Sequence, residues 1–144
     1  LVITGKPVPG YSNLIAYVQE HALQSDVLFP GFVPHELLPA LYAESTAFVF
    51  PSLYEGFGLP PIEAMMCGAP VIASNSSSLP ELLGNAVEYI NPESVEDIAR
   101  GMIKISEDPV YAQSLSTYGK KHAQQYQWQQ AAKEHIRVYE KALE

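Results

Sequence analysis

One cysteine in 144 residues rules out an internal disulfide and any cysteine-rich metal site, and a reducing, cytoplasmic compartment is expected. Basic side chains are few: 8 Lys and Arg stand against 16 Asp and Glu, a formal net charge of -8. Holding a nucleic-acid backbone takes clustered cations, so nucleic acid is excluded as a partner. A single nucleotide needs only a nest of amides and is not excluded. Apolar runs are strand-sized, so neither a signal peptide nor a membrane span is expected. There is no internal repeat and no low-complexity tract.

What is present suits one globular domain with a substantial core, since 47% of the residues are hydrophobic. Short apolar runs at residues 1–5, 27–29, 47–50, 70–73 and 87–90 read as strands. Helical patterns separate them. Ser12 is placed as the N-cap of a helix running to about Gln24, and Pro30 with Gly31 should break the second strand. A helix bearing Leu37, Leu38, Leu41 and Tyr42 follows, with Pro39 tolerable in its first turn. Ser78 and Glu81 read as a capping box. Helices at 94–106, 109–126 and 128–143 complete the chain, the last with an amphipathic period. The alternation predicts an α/β fold, a Rossmann-like doubly wound parallel sheet with helices on both faces and extra C-terminal helices. A chain that opens directly on a buried-looking strand is expected to be a piece of a longer protein.

The organising stretch is PSLYEGFGLPPIEAMMCGAPVIAS, residues 51–74. Gly56 and Gly58 give a loop that can bring a ligand close to main-chain N–H groups. Pro60 and Pro61 then open a helix that Gly68 closes. Free amides and the positive end of a helix dipole suit an oxyanion. Glu55 and Glu63 flank that site, and a carboxylate there matches a vicinal diol rather than a phosphate. Amides for phosphates and acids for sugars together describe a nucleotide-sugar pocket. Met65, Met66 and Cys67 are expected to pack. Lys6, at the end of the first strand, is a candidate for a phosphate contact. His35 has no second ligand at helical spacing, and no metal or cofactor is expected. Gly58→Val is expected to abolish binding at a modest cost in stability.

Two glutamates separated by seven residues in this string resemble the donor-site signature of the retaining glycosyltransferases of family 4, also called group 1. The segments GFVPHELLPALYAES, SNSSSLPELLGNA and YQWQQAAKEHIRVYEKAL resemble that family too, so the likeness covers essentially the whole chain. It implies that residues 1–144 form most of the C-terminal, donor-binding domain of the two-domain GT-B fold. By resemblance, Glu63 would hold the ribose hydroxyls, Glu55 would face the transferred sugar as the catalytic acid of the pair, and Gly56, Phe57, Gly58 and Leu59 would line the donor. Phe32, Val33 and Pro34 would pass beside the nucleobase. The donor would be a GDP- or UDP-linked hexose, with mannose favoured, and the acceptor a glycan or lipid-linked sugar. The Arg and Lys that neutralise the diphosphate in that family would lie upstream of Leu1, with the N-terminal acceptor domain. Any peripheral membrane contact would come through that domain. The isolated chain is therefore expected to be inactive. The other reading is a non-catalytic nucleotide-binding or interaction module of the same fold, and an upstream α/β domain with a loop bearing Arg and Lys would decide between the two.

Overall fold

A computed structural model describes residues 1–6 and 10–143. It falls into two compact units, Leu1–Leu38 and Pro39–Glu144. The first holds strand β1 (Val2–Thr4), helix α1 (Tyr11–Glu20) and strand β2 (Leu28–Gly31). β1 and β2 pair in parallel, and the Gly5 N–H donates to Gly31 O at 2.9 Å, so the ladder runs through Pro30 rather than stopping there. Proline lacks only the N–H, and its carbonyl and φ still suit a strand. α1 also differs from expectation. Its N-cap is Gly10 in the left-handed region, not Ser12, and Ala22 at φ 54° ends the helix before Gln24. Of its apolar stripe only Val18 is buried.

Helix α2 (Leu38–Ala43) begins on the last residue of the first unit, and the second carries the rest of it with β3 (Phe48–Phe50), α3 (Leu59–Cys67), β4 (Val71–Ser74), α4 (Leu79–Leu83), β5 (Glu88–Ile90), α5 (Val95–Glu107), α6 (Pro109–Ala123) and α7 (Trp128–Ala142). Strands β3, β4 and β5 form one parallel sheet in sequential order, with Phe48 opposite Val71 and Ile72 opposite Glu88. Every residue of β4 is buried, as expected of a central parallel strand covered on both sides. Its Ile72 joins Ile90, Ile105 and Leu115 in the core. Two glycines set the helix packing there: a Cβ on Gly101 would lie 2.7 Å from Ile90 Cγ2, and one on Gly119 would lie 3.1 Å from Met65 Cγ. α3 is apolar nearly all round and buries Pro61, Ile62, Ala64 and Met65. Met66 is half exposed, so of the two methionines only Met65 packs. α7, by contrast, buries none of its residues. Among the described residues no helix is long and apolar enough to cross a membrane.

One buried acid lies on the flank of this unit. Glu88, on β5, is held by ion pairs from Arg100 and from Lys104 Nζ at 2.7 Å, and by the Tyr111 hydroxyl at 2.6 Å. Burial pushes its carboxyl up, but the bonds from Arg100, Lys104 and Tyr111 outweigh this and hold it below the usual value.

Candidate functional site

The loop between β3 and α3 puts Glu55 just past the carboxyl end of the sheet, where parallel α/β folds place their ligands, and Glu63 follows on the second turn of α3. Gly58 is the N-cap of α3 at φ 104°, a conformation that costs an L side chain about 1–2 kcal/mol. A Cβ there would also lie 2.7 Å from Leu79 Cδ2, and Leu79 is fully buried. Gly58→Val is therefore not the low-cost change expected from sequence: it collides with the core. Gly56 differs, since a Cβ added there would meet only open space and its φ is not positive.

The first four N–H groups of a helix have no intrahelical partner. At α3 two of those positions are Pro60 and Pro61, which have no N–H, leaving Gly58 and Leu59 as donors. Adding the loop, the N–H groups of Gly56, Phe57, Gly58 and Leu59 have no partner among the described residues. Four consecutive N–H groups without partners, running up to a helix N-terminus, are the kind of arrangement that suits an oxyanion.

The carbonyls of the same loop point elsewhere, into the serine-rich turn after β4. Ser76 Oγ donates to Ser52 O at 3.3 Å and Leu53 O at 3.2 Å. Ser77 Oγ donates to Glu55 O at 2.5 Å and accepts from the Glu55 N–H at 3.0 Å. Ser78 Oγ donates to Glu55 O at 2.9 Å and Phe57 O at 3.1 Å. Ser78 does occupy the N-cap position of α4, but its side chain makes no cap bond. The expected capping box is thus absent, and the hydroxyl is turned instead toward the carbonyls of the glycine loop. Phe57 is further braced: its ring packs edge-on to Tyr126 with centroids 5.9 Å apart, and the Tyr126 hydroxyl donates to Leu82 O at 2.7 Å. His122 Nε2 bonds the same carbonyl at 2.8 Å and, since a carbonyl only accepts, must carry the proton.

Both acids keep acceptor capacity. Glu55 Oε1 accepts from Ser52 Oγ at 2.8 Å, and no ion pair engages Glu55 or Glu63 among the described residues. Glu63 is exposed, beside Tyr42, whose hydroxyl is raised first by burial and then by the Glu63 charge. The Cys67 thiol is raised for the same two reasons in the same order. In the first unit, Lys6 Nζ lies 5.8 Å from the centroid of the Phe32 ring, both exposed. Val33 is half-buried and Pro34 exposed beside it. Lys6 also lines a cleft of about 280 Å³ with Gly5, Gly10 and Tyr11. Lys6 and the loop of Phe32 to Pro34 thus belong together in one unit, and Glu55 to Glu63 in the other. Ser52 and the three serines after Asn75 were expected on the same edge of the sheet, but not as residues that hold the glycine loop. Their signal was the SNSSS tract itself, too polar and too hydroxyl-rich for a plain turn.

Parallel strands alternating with helices, with a glycine loop at their carboxyl edge, define an α/β domain of the class that places ligands at that edge. The chain belongs to the glycosyl transferases group 1 family, whose profile matches residues 1–122. It is 40% identical over 113 residues to the O-antigen chain mannosyltransferase B of Escherichia coli, covering 78% of this chain and 30% of that protein. It is 39% identical to the serotype-specific mannosyltransferase WbdA of the same organism, covering 85% of this chain and 15% of the relative. Among solved structures, a sucrose-phosphate synthase from Thermosynechococcus elongatus superposes with a TM-score of 0.90 at 30% identity, over 99% of this chain and 38% of that one. The C-terminal domain of a group 1 family protein, LpcC from Francisella tularensis, superposes at 0.77 with 25% identity, over 86% of this chain and 67% of that one. The fold is therefore that of the C-terminal part of GT-B glycosyltransferases. The chain spans well under half the length of the curated relatives it matches.

Proposed function

We propose that this chain is the donor-binding part of a retaining glycosyltransferase that moves a hexose, mannose in the first instance, from a GDP- or UDP-linked donor to a glycan or lipid-linked acceptor. The observation that carries this reading is the row of four N–H groups, Gly56 to Leu59, that have no partner among the described residues, lying in sequence between two acids that no described cation pairs with. The nest takes diphosphate oxygens. Glu63, exposed at the second turn of α3, accepts from ribose hydroxyls, and Glu55 orients the transferred sugar. Mannose is favoured because the relatives at 40% and 39% identity are mannosyltransferases.

Glycosyl transfer builds negative charge on the departing diphosphate, and cations must meet it. Arg100 and Lys104 are committed to Glu88, and the stem of Lys120 crosses Gly68 at the other end of α3. The chain alone is expected to bind donor without turning it over, and an acceptor domain with its own cations would complete the reaction. Titration calorimetry with GDP, UDP, GDP-mannose and UDP-glucose tests the binding, and incubation with the radiolabelled sugars and an acceptor panel tests the chemistry. Robust turnover by the isolated chain would overturn the second claim, and absence of binding to all four the first.

A further inference from the structure

The serines that follow β4 do more than close a turn. Hydroxyl groups of Ser77 and Ser78 reach across to the loop before α3 and take hold of two of its carbonyls, those of Glu55 and Phe57. A trans peptide is planar, so its C=O and the following N–H point in opposite directions, and all described peptides are trans. Drawing Glu55 O toward the serines turns the Gly56 N–H away from them, and drawing Phe57 O turns the Gly58 N–H away likewise. These are two of the four N–H groups without partners.

We infer that Ser77 and Ser78 are positioning residues that aim the Gly56 and Gly58 amides and the Glu55 backbone at the donor. This rests on the donor-site reading above. Ser77 carries the second half of the argument. It sits at φ 58°, one of two non-glycine residues with positive φ among those described. Its hydroxyl both donates to Glu55 O and accepts from the Glu55 N–H, closing a two-point clamp on one residue. A serine that only needed a left-handed backbone would be better served by glycine. The hydroxyl is what glycine could not supply. A Cβ added at Gly56 would meet only open space, so at that residue the bond to the preceding carbonyl is the contact seen to fix the peptide's direction.

The test measures affinity for GDP and UDP by calorimetry, the ¹⁵N–¹H shifts of Gly56 and Gly58, and the unfolding midpoint, in wild type, Ser77→Gly, Ser78→Ala and Ser78→Thr. Ser77→Gly keeps the backbone conformation and removes the clamp. Ser77→Gly and Ser78→Ala should each weaken binding about fivefold, the scale of one lost hydrogen bond. Both should shift the Gly56 and Gly58 amide signals while the midpoint stays within about 3 °C of wild type. Ser78→Thr keeps the hydroxyl and should restore affinity to within about twofold of wild type. Wild-type affinity and unmoved amide signals in Ser77→Gly and Ser78→Ala would overturn the inference. So would a loss of affinity that follows only a falling midpoint. If wild type binds neither nucleotide, the donor-site reading fails and takes the positioning role with it. The amide shifts then still show separately whether the hydroxyls orient the loop.

Discussion

The acids of the second unit fall into two kinds. Glu88 is buried on the flank with three partners, and its side chain is 7% exposed. Glu55 and Glu63 stand at the carboxyl edge, where the only side-chain bond received by Glu55 comes from a serine and neither acid is paired with a cation among the described residues. A buried carboxylate must be fully partnered or it neutralises, whereas an acid meant for a ligand must keep lone pairs in reserve. The difference separates an acid that holds the fold from acids that no cation engages among the described residues.

The largest effect should come from asking whether the edge is as integral to the fold as the flank. Gly58→Val adds left-handed strain to a collision with buried Leu79, and should cost about 4 kcal/mol in urea unfolding. A loss under about 1 kcal/mol would mean that the loop moves aside. Glu88→Ala removes the common partner of two cations and a tyrosine. Because Arg100 and Lys104 are nearly half exposed and water can take them up, the expected loss is about 2–3 kcal/mol, below that of a fully buried pair. Nucleotide affinity should not change, and if it did, flank and edge would be coupled. Glu63→Ala should show the reverse pattern: stability held within about 0.5 kcal/mol and GDP or UDP affinity lowered by about 2 kcal/mol, the value of a charge-assisted acceptor. Equal affinities in calorimetry would remove Glu63 from the site.

The smallest effect is in pH. The Glu88 carboxyl is depressed in the folded state, so its contribution is complete above the ordinary value of 4.5 and is lost as pH falls through the depressed one. Glu88→Gln should accordingly be less stable than wild type by about 1 kcal/mol at pH 7 in urea titrations, and the gap should close well below pH 4.5. A gap that persisted in acid would mean that shape, not charge, makes the difference.

Much of this arrangement follows from local chemistry and was legible in the chain. Glycine at 58 and 68 and proline at 60 and 61 bound α3 because only those residues combine positive φ with a helix start that needs no N–H, and the structure has them at those places. The helix expected from residue 94 is α5, with Ser94 as its N-cap accepting from the Asp97 N–H. The alternating runs gave parallel strands for the same reason, since their apolar content is set by burial on both faces. What sequence could not decide were the partners of groups that are far apart along the chain. A capping box looks the same whether Ser78 bonds its own helix or, as here, the carbonyls of Glu55 and Phe57 more than twenty residues earlier. Ser12 had cap chemistry, yet Gly10 with its left-handed backbone starts α1. The cost of a side chain at Gly58 depends on Leu79, which only the packing brings near. The chain's own residues thus determined where its elements begin and end and which acids stand beside the loop. Tertiary structure alone decided which hydroxyls, cations and core atoms meet those residues, because such pairings are set by the register of β3 on β4 and of β4 on β5 and by nothing local.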